Sequence, residues 1–250
     1  MIEWELTSKC NYKCNYCSLP NIKAEADHSK LNFFIKETLE PYKDQEIFCF
    51  GGEPFLHPEI SFIVDMLYKY NRKFIIQTNM SKKSVDVMLK LTHDLHLQVS
   101  IHPTEVSIEN VIQDLTRLQT VHEISKIDVM YTGLESFKYY QKISKIYNGE
   151  LTLLPITGFY ETGSCELTYE FNKYRNSPYS KFINFEPYKI GDRYRSDIWE
   201  DYCSGKLSTF GEVCKYKDDY ILYDSSLNLY NCCYRENIET FCTHTKCFLM

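Results

Sequence analysis

The chain has 250 residues, an apolar share of 44% and a formal net charge of −6, values typical of a globular protein with a substantial core. The net negative charge argues against nucleic-acid binding through a broad basic face. The sequence has no run of about 18 uncharged apolar residues and no secretory signal at its acidic start, so neither a membrane span nor export is expected.

Short apolar runs alternate with longer amphipathic runs over residues 1–158, and the two patterns predict alternating strands and helices. The strands are predicted at residues 2–6, 46–50, 73–79, 95–103, 126–133 and 150–158. The helices are predicted at residues 31–42, 58–70, 82–91, 107–118 and 135–147. Ser81 is predicted to be the N-cap of the third helix.

This alternation predicts βα units on a parallel sheet with right-handed crossovers. Six units are too few for a closed eight-unit barrel, so the expected fold class is α/β, a partial (β/α)6 TIM-like barrel over residues 1–158. The regular pattern then stops. Residues 159–202, rich in Tyr, Phe and Asn, are interpreted as a connector, and residues 203–250 as a small Cys-rich β-hairpin module.

The eleven cysteines are concentrated near the two ends of the chain. Without an export signal such clusters indicate metal or redox chemistry, so we expect a cytoplasmic protein with two thiol-rich sites. The first site is the trio Cys10, Cys14 and Cys17, which follows the first strand. Structural zinc requires four ligands. Zinc remains an alternative for this site because a fourth ligand could come from the far end of the chain. An iron–sulfur cluster can instead be held by three thiolates that leave one iron free.

Two independent motifs carry a resemblance to the radical S-adenosylmethionine (SAM) superfamily. The first is the spacing Cys10-x3-Cys14-x2-Cys17, with the aromatic Tyr16 between the last two cysteines. The second is the segment GGEP at residues 51–54, which ends the second strand. In combination the two motifs are specific, and the resemblance covers about residues 2–158.

The resemblance implies a [4Fe–4S] cluster on the cysteine trio, with SAM bound to the open iron. An electron donor such as a flavodoxin or ferredoxin is then expected as a partner. The residues expected to contact SAM or to shape its site are Tyr16, Gly51, Gly52, Glu53, Pro54, Thr78, Asn79 and Ser100. The glycines are expected to let the backbone approach a ligand, and Glu53 and Pro54 to fix the turn. His102 is interpreted as an ordinary loop histidine and Cys49 as a small buried hydrophobe.

The second thiol-rich site resembles the twitch and SPASM extensions of radical SAM enzymes, which bind auxiliary [4Fe–4S] clusters. A hairpin is predicted about a turn at Ser225–Ser226. The ligands implied by the resemblance are Cys214, Cys232, Cys242 and Cys247. Zinc is the alternative metal. Because adjacent strand residues face opposite ways, only one of Cys232 and Cys233 can be a ligand, and the family pattern favours Cys232.

The resemblance predicts an enzyme that cleaves SAM and abstracts a hydrogen atom from its substrate. A net oxidation or crosslink of a peptide side chain is expected. Epimerisation is the alternative reaction, with Cys165 or a connector tyrosine as hydrogen donor. A peptide would need a separate partner protein or would bind the barrel mouth directly. Other candidate functions are dehydrogenation of a small polar metabolite such as an amino sugar, and a catalytically inactive zinc-stabilised binding protein.

Overall fold

The computed structural model describes residues 1–17, 25–155, 189–190, 193–194 and 221–230. Its first six strands form a parallel sheet in which each strand pairs with the next one along the chain. These strands are β1 (Ile2–Thr7), β2 (Ile47–Gly51), β3 (Phe74–Thr78), β4 (His96–Ile101), β5 (Glu123–Tyr131) and β6 (Glu150–Pro155). The predicted α/β class with a partial (β/α)6 barrel is confirmed.

The described part of the chain contains five α-helices, one in each connection between consecutive strands. They are α1 (His28–Phe33), α2 (Ile60–Lys69), α3 (Lys82–Met88), α4 (Ile108–Leu118) and α5 (Glu135–Ile143). The side chain of Ser81 accepts a hydrogen bond from the amide of Ser84, so the predicted N-cap of α3 is confirmed. Among the described helices, none has the length and apolar character needed to span a bilayer.

The helix predicted over residues 31–42 is not continuous. After α1 the chain follows a π-helical segment, Phe34–Thr38, and a 3₁₀ turn, Glu40–Tyr42. The buried Arg72 guanidinium donates hydrogen bonds of 3.3 and 3.5 Å to two carbonyls of the π-helical segment. These bonds satisfy backbone acceptors that a regular helix would pair internally, so they support the irregular turn.

The two faces of the sheet differ in character. Outward-facing residues of the strands, such as Trp4, Ile76, Val99 and Val129, are buried hydrophobic residues that belong to the core. Alternate positions face the barrel interior and include polar residues, because successive side chains of a strand point to opposite faces. The hydrophobic core therefore lies between the sheet and the helices. The interior face of the sheet, which includes polar residues, is where a functional site can form.

Two further pairs of short strands occur in the described residues. Strands β7 (Lys189–Ile190) and β8 (Arg193–Tyr194) form a separate antiparallel pair. Strands β9 (Ile221–Tyr223) and β10 (Leu229–Tyr230) form an antiparallel hairpin, which confirms the hairpin predicted from sequence.

This hairpin extends the barrel sheet, because β9 pairs in parallel with β1. Asp224 fixes its turn by accepting hydrogen bonds of 2.9 Å from the amides of Ser226 and Asn228. Tyr223 packs edge-on against Phe34, with ring centroids 4.7 Å apart. The hairpin was predicted as part of the C-terminal module, and the structure joins its strands to the edge of the barrel.

Candidate active site

A cavity of about 210 Å³ opens at the carboxyl ends of the first five parallel strands. Parallel α/β barrels build their sites at this end. Its lining residues are Cys10, Tyr12, Cys14, Tyr16, Cys17, Gly51, Gly52, Gln77, Thr78, Asn79, Ser100, His102 and Met130. The cysteine trio and six of the eight residues predicted to surround SAM therefore share one cavity. Glu53 and Pro54 do not line it.

Gly51 and Gly52 bring β2 against the backbone that leads into the cysteine loop. A Cβ on Gly51, whose φ is +141°, would lie 2.2 Å from the carbonyl oxygen of Thr7. A Cβ on Gly52 would lie 2.3 Å from the carbonyl oxygen of Lys9. The amide of Gly52 donates to the Thr7 carbonyl at 2.7 Å. The glycines were expected to admit a ligand, and their closest neighbour is the protein's own backbone just before Cys10.

Glu53 is fully buried behind the residues that line the cavity. Its carboxylate accepts hydrogen bonds from the Asn79 amide at 2.7 Å, the Thr78 hydroxyl at 2.9 Å and the Phe55 amide at 3.2 Å. Burial raises the pKa of Glu53 to about 7, and these hydrogen bonds oppose the shift. Glu53 thus ties the end of β2 to the end of β3. Pro54 begins a short 3₁₀ turn directly after it, so the predicted turn role is confirmed.

Asn79 connects this buried carboxylate to the cysteine loop. Its side-chain amide lies 3.6 Å from the sulfur of Cys10 and 3.2 Å from the side-chain oxygen of Asn11, and it can donate to both. Its side-chain oxygen accepts from the Ser81 amide at 2.9 Å. Asn79 is therefore held at both ends, and it orients the first cysteine of the trio.

The three cysteines are free thiols on one loop, where Cys10 and Cys17 are exposed and Cys14 is half-buried. The Cys10 sulfur accepts a hydrogen bond from the Tyr12 amide at 3.4 Å, and the Cys17 amide donates to the Cys14 carbonyl at 3.1 Å. Burial of the thiol raises the pKa of Cys10, and it raises the pKa of Cys14 to about 11. The raised pKa values favour the protonated form of both thiols at neutral pH, so metal binding would release their protons.

His102, interpreted from sequence as an ordinary loop histidine, lines the cavity, as do Tyr12, Gln77 and Met130, which the sequence analysis did not place there. One ring nitrogen, Nε2, lies 3.0 Å from the Ser100 hydroxyl. The other, Nδ1, lies 2.8 Å from the Tyr16 hydroxyl and 3.5 Å from the Cys14 sulfur. The ring also stacks on Tyr16, and burial lowers the pKa of His102 to about 4. The sequence signal that could have placed His102 at the site was its position two residues after Ser100, just beyond the end of β4.

A polar cluster lies on the interior face, one step further from the strand ends than the residues that line the cavity. Asp128 pairs with Ser100 in the strand register and precedes Met130 by two residues on the same face. Its carboxylate accepts hydrogen bonds from Gln98 at 2.8 Å and from Thr152. The Lys126 ammonium lies 3.3 Å from the same carboxylate. The interior face next to the cavity is therefore polar.

The remaining predicted site residues lie outside the residues that the structure describes. These are Cys165 and the C-terminal Cys214, Cys232, Cys242 and Cys247, and Cys233, the alternative to Cys232, lies there too. Within the described ranges, no three His, Cys, Asp or Glu side chains are grouped closely enough to hold a single metal ion. The buried Cys49 lies within the core and does not line the cavity, as predicted.

Residues 4–152 match the Radical SAM superfamily, which is more than half of the chain. The chain belongs to this superfamily. Its members use a [4Fe–4S] cluster and SAM.

Several known proteins are similar to the chain, among them two sequence relatives and two solved structures. The 7-carboxy-7-deazaguanine synthase of Aquifex aeolicus is 33% identical over 92 residues, which is 36% of this chain and 41% of that protein. The GTP 3′,8-cyclase of Aliarcobacter butzleri is 24% identical over 196 residues, 72% of this chain and 53% of that protein. The chain thus spans about half the length of these relatives.

The structures show the shared fold. Streptococcus suis SuiB bound to its precursor peptide SuiA superposes with a TM-score of 0.58 at 15% identity. The match covers 92% of this chain and 59% of SuiB. The enzyme anSMEcpe with bound AdoMet and Cp18Cys peptide gives a TM-score of 0.53 at 16% identity, covering 93% of this chain and 74% of that chain.

The residues at the cavity fit the cofactors of the family. Cys10, Cys14 and Cys17 would supply the three thiolate ligands, and Asn79 and His102 already point hydrogen-bonding nitrogens at two of these sulfurs. The cavity beside the loop, bounded by Gly52 and other strand-end residues, leaves room for a ligand next to the thiols. Hydrogen bonds to ligand sulfurs are a normal part of cluster sites.

Proposed function

We propose that the chain is a radical SAM enzyme that cleaves SAM reductively and abstracts a hydrogen atom from its substrate. The observation that carries this proposal is the single cavity shared by the cysteine trio and the ends of β2, β3 and β4. A reduced cluster held by Cys10, Cys14 and Cys17 would supply the one electron needed to cleave SAM, and hydrogen abstraction from the substrate would follow.

The chain's own residues would position the reactants and limit water. The close approach at Gly51 and Gly52 fixes the start of the cysteine loop against β2. Ser100 and Asn79 offer polar groups at the cavity wall, where they can orient SAM. Met130 adds an apolar side chain to the lining, which helps to shield a reactive carbon from solvent.

The proposed substrate is a peptide side chain, modified by net oxidation or crosslinking, with epimerisation as the alternative outcome. Support comes from SuiB and anSMEcpe, whose structures contain bound peptides and superpose on over nine-tenths of this chain. This support is an analogy of fold. The proposed auxiliary [4Fe–4S] cluster on Cys214, Cys232, Cys242 and Cys247 would accept the electron left after hydrogen abstraction. A flavodoxin or ferredoxin is the proposed donor to the first cluster.

A small polar metabolite is the second candidate substrate, because the interior face next to the cavity is polar. The Asp128 carboxylate and the Lys126 ammonium lie 3.3 Å apart there, and hydroxyl or amino groups of a sugar could hydrogen-bond to such a surface. The two sequence relatives are named for small-molecule reactions, the synthesis of 7-carboxy-7-deazaguanine and the cyclisation of GTP. An amino sugar dehydrogenase would fit this alternative.

The first experiment tests the radical SAM assignment through the trio. Replacing Cys10, Cys14 and Cys17 together with alanine is expected to remove one cluster's iron and to abolish 5′-deoxyadenosine formation with SAM and a reductant. Cys49→Ala is the matched control, because this cysteine lies in the core and outside the cavity. Undiminished SAM cleavage in the triple variant would overturn the proposed function.

The second experiment separates the two substrate classes by mass spectrometry. Anaerobic protein is incubated with SAM, a reductant and either short peptides encoded beside the gene or a panel of aminoglycosides and sugar nucleotides. The peptide proposal predicts deoxyadenosine formation that depends on a peptide, with a change in the mass or the stereochemistry of that peptide. Loss of two hydrogens from a sugar, and no reaction with any peptide, would favour the metabolite instead.

A further inference from the structure

His102 lies between the wall of the cavity and the cysteine loop. Its Nε2 atom is 3.0 Å from the Ser100 hydroxyl on β4, and Nδ1 faces the Tyr16 hydroxyl and the Cys14 sulfur at 2.8 and 3.5 Å. Tyr16 is buried and its ring stacks on the imidazole at a centroid distance of 5.9 Å. The ring of Tyr12 meets the imidazole edge-on at the same centroid distance. The imidazole orientation is therefore set by contacts on several sides.

The hydrogen-bond partners allow the tautomer in which Nδ1 carries the hydrogen. The Ser100 hydroxyl can donate its proton to Nε2, which leaves Nδ1 as the nitrogen that carries hydrogen. That N–H faces a phenol oxygen and a sulfur, both of which can accept. A thiolate is the stronger acceptor, because a charged acceptor makes a stronger hydrogen bond than a neutral one. When Cys14 is a metal ligand, the Nδ1–H group is thus aimed at its sulfur.

We propose that His102 is a positioning residue that donates a hydrogen bond to the Cys14 sulfur and thereby raises the reduction potential of the amino-terminal cluster. This inference rests on the proposed function, since it requires a cluster on the trio. The physical reason is that reduction adds negative charge to the cluster, and a donor to a ligand sulfur stabilises the reduced form more than the oxidised form. The hydrogen bonds from Ser100 to His102 and from His102 to Cys14 also connect the cavity wall at the end of β4 to the second cysteine of the trio.

The test measures the potential in paired variants of the full-length, iron-loaded protein. His102→Phe keeps a ring of similar size but removes both nitrogens. His102→Asn is the matched control, because its side-chain amide places an N–H near the former Nδ1. Both are made in the unmodified chain and in a Tyr16→Phe background, which removes the competing phenol and keeps its ring. The readouts are iron per chain and the midpoint potential of the cluster signal that changes when SAM is added.

His102→Phe is expected to lower the reduction equilibrium constant about tenfold, which is about 59 mV for a one-electron couple, in both backgrounds. The Asn variant is expected to stay closer to the unmodified protein. If the Phe variant loads iron and shows no shift in the Tyr16→Phe background, the hydrogen bond to Cys14 does not exist and the proposal fails. Equal loss of iron in the Phe and Asn variants would also overturn it, because ring packing alone would then hold the loop.

The failure of this inference can be distinguished from failure of the proposed function. If the unmodified protein shows no cluster signal that responds to SAM, the radical SAM assignment itself is overturned. If it shows that signal, and the loaded His102 variants keep its potential, only the role of His102 is overturned. A second check is Ser100→Ala, which removes the partner of Nε2 and is expected to give a smaller shift in the same direction.

Discussion

Replacing Gly52 with alanine tests whether the close approach of two backbones positions the cysteine loop. The new Cβ would lie 2.3 Å from the Lys9 carbonyl oxygen and 2.8 Å from that of Ser8. Because real Cβ contacts essentially never fall below 3.0 Å, one backbone has to move by about 0.7 Å. That shift stretches the 2.8 Å hydrogen bond from the Glu53 amide to the Lys9 carbonyl to the limit of hydrogen bonding. Overpacking costs about 1–3 kcal/mol, and the weakened bond adds about 1 kcal/mol.

We therefore expect Gly52→Ala to lower the free energy of unfolding by about 2–4 kcal/mol and to bind much less iron per chain after anaerobic reconstitution. Gly133→Ala is the matched control. Gly133 has a φ of +128°, but its Cβ would meet nothing within 4 Å, so alanine there tests backbone strain without a clash. Chemical denaturation and iron analysis are measured on both variants. If Gly52→Ala binds as much iron as Gly133→Ala, the close approach does not position the cysteine loop and the reasoning is wrong.

Three further predictions concern stability and metal content. Burial raises the pKa of Glu53 from about 4.5, its value in the unfolded chain, to about 7 in the folded protein. The free energy of unfolding is therefore expected to fall by up to about 3 kcal/mol as the pH rises from 4.5 through 7. Denaturation of metal-free protein checks this, and an equal pH slope in Glu53→Gln would contradict it. Asp224→Ala is expected to lower the free energy of unfolding by about 2–3 kcal/mol because it leaves turn amides without an acceptor, and Asp224→Asn is expected to lower it less. Equal melting curves for Asp224→Ala and the unmodified protein would contradict this. Cys214→Ala and Cys242→Ala are each expected to lose the metal of the proposed C-terminal site but to keep some SAM cleavage. Cys233→Ala is expected to lose less of this metal. Unchanged metal content in Cys214→Ala and Cys242→Ala would show that the ligands are misassigned.

The strands and helices of the barrel could be predicted because their signals are local. An apolar run between two amphipathic runs is short enough to identify as a buried parallel strand, and a serine before a helical pattern identifies an N-cap. The GGEP segment was found for the same reason, since it directly follows the second apolar run. Strand ends were less exact. For example, β5 begins at Glu123, three residues before the predicted start, because the polar Glu123 and Ser125 on either side of Ile124 interrupt the apolar run.

Contacts between distant parts of the chain could not be predicted from these local signals. His102 and Cys14 are 88 residues apart, and only the parallel order of the strands brings the end of β4 over the cysteine loop. The hydrogen bonds that the Glu53 carboxylate accepts from Thr78 and Asn79 had no local signal either, because these residues lie 25 and 26 positions further along the chain. The parallel pairing of β9 with β1 could not be predicted either. The sequence pattern of the hairpin specifies its turn, but it does not specify which strand of the barrel lies beside it.

These long-range contacts form a continuous path from the buried sheet to the thiols. The Glu53 carboxylate holds the amide of Asn79, and the Asn79 side chain reaches Cys10. At the end of the neighbouring strand, β4, His102 reaches Cys14. The first and second cysteines are thus each oriented by a polar side chain from a different strand end, so the loop geometry depends on the register of β2, β3 and β4. A radical reaction needs its cofactor fixed relative to the substrate carbon, and rigid strand ends provide that better than an unsupported loop does.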